Sequence, residues 1–199
     1  MSREQRRSKR IHPRRLMGKS MRQSFLIFCE GQTEAGYFSS FKKRTKSLNG
    51  GNALAVVQEA VTKKNAATNI VDQYWVVFDK DATSDADFRL AIQIALNNNI
   101  HPIWSNQSFE LWFILHFRNF AQACHRNQYQ RILRNHIPDY NSADKSSEQG
   151  KQLYIRTRAL IEFAISNAIE AYESFNVPDE HRESSTTVYK LINAILANS

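Results

Sequence analysis

Residues 24–31 read Ser-Phe-Leu-Ile-Phe-Cys-Glu-Gly, a continuous apolar run that stops abruptly at a carboxylate and a glycine. A strand with apolar side chains on both faces belongs in a sheet covered on both sides. The run therefore predicts a buried strand that delivers Glu30 to its carboxyl end. Residues 74–81, Tyr-Trp-Val-Val-Phe-Asp-Lys-Asp, repeat the pattern and terminate in Asp79 and Asp81. Helical spacing follows each run. Tyr37, Phe38 and Phe41 share one face of a helix expected over 33–45 with Thr33 as its cap, and Phe88, Ala91, Ile92 and Ala95 mark another over 85–96.

Working outward, Gly50-Gly51 breaks the chain, 53–57 reads as a second strand, 58–73 as a weakly helical return and 100–104 as a short fourth strand. Residues 108–117 read as a buried helix, and 127–135, 149–174 and 184–197 carry helical periodicity. Strands alternating with helices indicate an α/β fold. The expectation is a parallel sheet of about four strands flanked by helices over 23–117, continued by a helical extension over 118–199.

The 199 residues suit one sizeable domain, and 42% hydrophobic with 11% aromatic residues excludes a wholly disordered chain. The net charge of +8 lies in one place. Residues 1–22 hold Arg3, Arg6, Arg7, Lys9, Arg10, Arg14, Arg15, Lys19 and Arg22 against the single acid Glu4, while 23–199 hold 18 basic and 18 acidic residues. A polar segment interrupted by Pro13 and Gly18 reads as a disordered basic arm. Nine cations in it would bind nucleic acid through counterion release, without sequence preference; a solubility tail is the competing reading. Cys29 and Cys124 are far apart with no CxxC, and no apolar run approaches the roughly 18 residues of a membrane span. The expectation is a cytoplasmic protein with no membrane contact and no disulfide framework.

Ligands of open parallel sheets bind beyond the carboxyl ends of the strands, where Glu30, Asp79 and Asp81 are expected. Hard divalent ions take such oxygen ligands, so the three acids are candidate ligands for Mg²⁺ or Mn²⁺ and candidate catalytic groups. A D-x-D alone reads more simply as a turn with a helix cap; its joint placement with Glu30 at two apolar strand ends shifts the balance toward the site. Glu30 could complete the metal shell or act as general acid or base. Asn106 and Glu110, four residues apart after the fourth strand, would share a helical face if both are helical; a substrate or second-shell role and simple helix capping stand level. Lys80 is a possible phosphate contact or a solvated lysine. For Lys42, Lys43, Arg44 and Lys46, the simplest reading is cations favoured at a helix C-terminus. Residues 184–187 read as a capping segment, and His116 as a core or surface histidine. No Walker A pattern occurs.

The run Leu26 to Gly31 with Thr33-Glu34 and Tyr37-Phe38, then Val77 to Asp81, then Ser105-Asn106 with Phe109 to Trp112 and His116-Phe117, and finally Ser185 to Val188, resembles the RloB family from about 24 to 190. That resemblance implies a Toprim-like domain, in which a strand-end glutamate and a D-x-D bind Mg²⁺ and handle phosphodiesters. By position Glu30 matches the glutamate, and Asp79 and Asp81 match the D-x-D. It further implies a nuclease of anti-phage defence, of abortive-infection type, with an ABC-type ATPase as a possible partner. The rival is a non-catalytic nucleic-acid-binding or regulatory subunit of such a complex. The family's Tyr-x-Lys is interrupted here: Tyr140 is followed by Asn141 and Ser142, and the next lysine is Lys145.

Overall fold

A computed structural model describes residues 22–48, 50–120 and 124–198. Its centre is a four-stranded, wholly parallel sheet of order β2-β1-β3-β4, with β1 Phe25–Cys29, β2 Arg44–Ser47, β3 Gln73–Asp79 and β4 His101–Ser105. Helices α1 Gln32–Ser39, α2 Ala53–Asn65 and α3 Asp85–Asn97 make the crossovers. Beyond the sheet come α4 Glu110–Leu115, α5 Tyr129–Arg134, α6 Ser147–Thr157, α7 Ile161–Glu173 and α8 Val188–Ala197. The expected α/β architecture with a helical C-terminal region is what the chain adopts.

The continuous apolar runs have a direct cause. Phe25, Ile27 and Cys29 of β1, with Trp75 and Val77 of β3, enter a core built with α1, α4, α7 and α8; Leu26, Phe28, Val76 and Phe78 enter another built with α2 and α3. Both faces of the central strands are thus buried, so neither strand alternates polar with apolar. On the first face Tyr37 anchors α1 to α4 by accepting a hydrogen bond from Trp112 Nε1 at 2.9 Å.

Several local expectations fail. Residues 53–57 are not a strand: Ala53, Val56, Val57 and Ala60 are buried at helical spacing in α2, and Asn52 caps it by accepting from the Ala55 N–H at 2.9 Å. The second strand is instead Arg44–Ser47, lying where the first helix was expected to continue. That helix ends at Ser39, and it starts on Gly31 with no side-chain cap, so Thr33 is not its cap. The helix expected over 149–174 is two, α6 and α7, separated by a 3-10 turn at Arg158–Leu160.

Helix α6 lies backbone to backbone on α1. A Cβ on Gly36 would stand 2.0 Å from the Ser147 carbonyl oxygen, and one on Gly150 would stand 2.0 Å from that of Thr33. Only glycine fits at either crossing. This contact fixes the start of α6, and with it the preceding loop that holds Tyr140 and Lys145, over the carboxyl end of the sheet. Among the described residues, no helix is long and apolar enough to cross a membrane.

Candidate functional site: an acidic pocket at the carboxyl end of the sheet

The central strands β1 and β3 are adjacent, so the residues that follow them emerge side by side. The ladder runs one step past β1, the Glu30 N–H donating to the Val77 carbonyl at 3.0 Å, and the Glu30 Oε2 atom accepts from the Asp79 N–H at 2.9 Å. Glu30, Asp79 and Asp81 therefore reach one cavity of about 240 Å³, as the sequence predicts. Two further carboxylates line it: Glu34, in the first turn of α1, and Glu110, the first residue of α4.

Four of these acids are crowded enough to alter one another's chemistry. Enclosure by protein, followed by the charges of Glu30, Glu34 and Glu110, holds the Asp79 carboxyl well above the usual carboxylate range. Enclosure, with Glu30 and Glu110 adding to it, pushes Glu34 up to about 7. Glu30 is raised by enclosure and by Asp81, against the lowering effect of the Asp79 N–H. Glu110 goes the other way: burial raises it, but Lys145, Ser108 and Tyr140 together outweigh burial and leave it below its ordinary value. The Tyr140 hydroxyl donates to Glu110 Oε1 at 3.1 Å, and Lys145 Nζ lies 3.5 Å from the same oxygen. The interrupted Tyr-x-Lys thus delivers both residues to the site, because the loop between them carries the lysine back over the pocket.

Asp81 behaves differently from Asp79. It sits in the left-handed backbone region at φ 37°, half exposed, and its carboxylate is paired with Arg126 from the turn before α5. Among the described residues, no three Asp, Glu, His or Cys side chains are gathered closely enough to hold a metal ion as they stand. Asp81 is turned to Arg126, and Glu30 is tied to the backbone of Asp79. Five carboxylates, the oxygen donors a hard divalent cation takes, nonetheless line one cavity, and enclosure with neighbouring acids raises Asp79 and Glu34.

Other predicted residues lie outside this cavity. Lys80 pairs with Asp85 at 3.0 Å. Asn106 is not helical and shares no helical face with Glu110; its side chain donates to the Arg182 carbonyl at 3.1 Å and ties the 182–185 loop to the end of β4. Residues 184–187 are buried; at the start of α8 Thr186 Oγ1 accepts from the Val188 N–H at 3.3 Å, and Thr187 Oγ1 accepts from the Trp104 N–H at 2.9 Å. His116 is a core residue, fully buried with Nδ1 on the Trp112 carbonyl at 2.8 Å, and burial pushes it down to about 4. Of the basic arm only Arg22 is described, and it is exposed; Arg3, Arg6, Arg7, Lys9, Arg10, Arg14, Arg15 and Lys19 lie outside the described residues.

A family model described as RloB-like protein matches residues 25–195, which takes in every strand and every pocket residue named above. The chain belongs to the RloB-like family. No curated protein and no solved structure matches it. In this RloB-like chain the match spans both the sheet that presents Glu30, Glu34, Asp79 and Asp81 and the helical region that returns Tyr140 and Lys145 to them. Of the pocket acids, Glu110 is a sequence candidate that the structure brings to the cavity, and Glu34 is the one that sequence reasoning gave no role. Glu34 lies in the first turn of α1, directly after the strand end that carries Glu30.

Proposed function

We propose that this protein is a Mg²⁺- or Mn²⁺-dependent phosphodiesterase, a nuclease of anti-phage defence built on a Toprim-like sheet. The observation that supports the reading is the set of carboxylates around one cavity, raised in pKa by enclosure and mutual repulsion. Such acids are expensive to keep together without a cation, and a structural role would not need them.

Glu30, Asp79 and Asp81 would hold the ion, with Glu34 and Glu110 lining the same cavity. When bound, a divalent ion stabilises charge developing on phosphate oxygens and lowers the pKa of bound water. Lys145 and Arg126, both lining the cavity, offer N–H donors to the nonbridging oxygens of a phosphodiester. Arg126 would exchange Asp81 for phosphate as substrate enters. Glu34, poised near neutrality, suits the removal of a proton from the attacking water at a carboxylate oxygen. Asp79 holds Glu30 in place through its N–H, so the two strand ends act as one unit.

The test is cleavage of labelled DNA and RNA by purified protein in Mg²⁺ or Mn²⁺ with an EDTA control. Cutting that disappears in Asp79→Asn and Glu30→Gln, both still folded, is the expected result. Absence of cutting under every divalent ion, or undiminished cutting by Asp79→Asn, would overturn it. A second reading, a non-catalytic nucleic-acid-binding or regulatory subunit working with an ABC-type ATPase, draws support from the neutralisation of Asp81 by Arg126. It predicts that phage protection and nucleic-acid binding both survive those substitutions.

A further inference from the structure

Of Lys42, Lys43, Arg44 and Lys46, only Lys42 closes the end of α1, its N–H on the Ser39 carbonyl at 2.9 Å; Lys43 follows the turn, and Arg44 and Lys46 stand on the edge strand β2, beyond the reach of the macrodipole. Residues 35–58 contain these four cations and no acid. Among the described residues none of the four is in an ion pair. Lys42 adopts φ 59°, a conformation that favours glycine, so a lysine there is kept against the local backbone preference. Arg44 and Lys46 are exposed on alternate positions of β2, and with Lys63 they wall a groove of about 490 Å³ beside the end of α2. Asp72, at the same end of the sheet, is already engaged by the Ser24 N–H and hydroxyl at 2.7 Å each.

The direction of β2 gives the patch its meaning. The strand runs parallel to β1, with Arg44 opposite Leu26 and Ser47 opposite Cys29, immediately before Glu30. The Leu48 N–H donates to the Cys29 carbonyl at 2.8 Å, and Gly50 lines the acidic cavity. At its other end the patch meets Arg22, where the basic arm joins the domain. We infer that Lys42, Lys43, Arg44 and Lys46 form a phosphate-binding track along the open edge of the sheet, which leads a nucleic-acid strand from the arm to the acidic pocket. The inference rests on the nuclease reading for the destination of the strand, and on the charge and placement of β2 for the track. An edge strand rich in lysine has another use, deterring edge-to-edge association, so the test must separate the two.

The variant is Lys42→Gly, Lys43→Gln, Arg44→Thr and Lys46→Thr combined in the full chain; the first relieves a strained backbone, and the last two keep strand propensity. Binding of fluorescent single-stranded and duplex oligonucleotides is followed against salt in EDTA, beside anionic vesicles and sedimentation. The expected result is a tenfold or greater loss of affinity at low salt, and a salt slope smaller by about 3, at the 0.7–0.9 expected per lost phosphate contact. Unchanged affinity and slope overturn the track, whether accompanied by self-association, which assigns the cations to edge protection, or by lost vesicle binding, which assigns them to a lipid surface. Hydrolysis of bis(p-nitrophenyl) phosphate distinguishes this failure from that of the pocket. The variant should keep wild-type hydrolysis of this small diester; if neither protein hydrolyses it but the binding loss stands, the track holds and the nuclease reading falls.

Discussion

Two groups of polar residues crowd the carboxyl edge of the same sheet, and they have opposite characters. Ser184 to Thr187 are buried and satisfied: Thr186 shares a 2.8 Å hydrogen bond with Ser105 Oγ, donates to the Trp104 carbonyl at 3.0 Å and pairs with Ser105 as an antiparallel bridge. Glu30, Glu34 and Asp79, a short distance away around the cavity, repel one another and hold protons above their ordinary range. The hydroxyls close the β4 edge and complete the fold. The carboxylates are held above their ordinary range by enclosure and by neighbouring acids, as perturbed groups at functional sites often are.

Substitutions should separate the two groups. Asp79→Asn removes an acid enclosed among other acids and keeps the shape, so cutting should fall by on the order of 10²–10³ or more while thermal stability holds or rises. A destabilised Asp79→Asn would place the acids with the hydroxyls as structural. Gly150→Ala drives a methyl onto the Thr33 carbonyl and should cost roughly 1–3 kcal/mol or more by denaturant unfolding, with cutting reduced because the Lys145 loop shifts. Thr186→Val should cost about 1–3 kcal/mol, since Ser105 and the Val188 N–H lose a partner, yet leave the rate per folded molecule unchanged. A rate loss there would bring the hydroxyls into the site.

The smallest effect is the pH dependence. Glu34 has an ordinary value of 4.5 and is pushed up to about 7 in the folded protein, so the native state holds its proton more tightly. The stability it contributes is fully present below about 4.5 and is lost as the pH rises through about 7. Unfolding in EDTA should therefore show the protein losing stability across that window, and Mn²⁺ should restore more at pH 8 than at pH 5. A flat profile, or equal rescue at both pH values, would remove Glu34 from the acidic group.

The sequence made the central strands legible because both faces of β1 and β3 are buried and the runs are unbroken. It hid β2 because Arg44–Ser47 lies at an edge with no apolar residue, and a stretch of that kind carries no period. It hid α2 because Val56-Val57 reads locally as a strand, whereas the spacing of Ala53, Val57 and Ala60 reads as a helix. Glu30, Asp79 and Asp81 were readable as strand-end acids. Glu110 was visible only as a residue that capping could equally explain, and Lys145 reached the pocket through a loop whose course depends on the Gly36 and Gly150 crossing.

Whether the acids at the ends of β1 and β3 and at the starts of α1 and α4 share a divalent cation is tested most directly by calorimetric titration of Mn²⁺ into the full chain at neutral pH. The predicted result is saturable binding that releases protons and weakens in Asp79→Asn by at least the roughly tenfold that even outer-shell partners contribute. Equal binding by wild type and Asp79→Asn, or no binding at millimolar Mn²⁺, would contradict it.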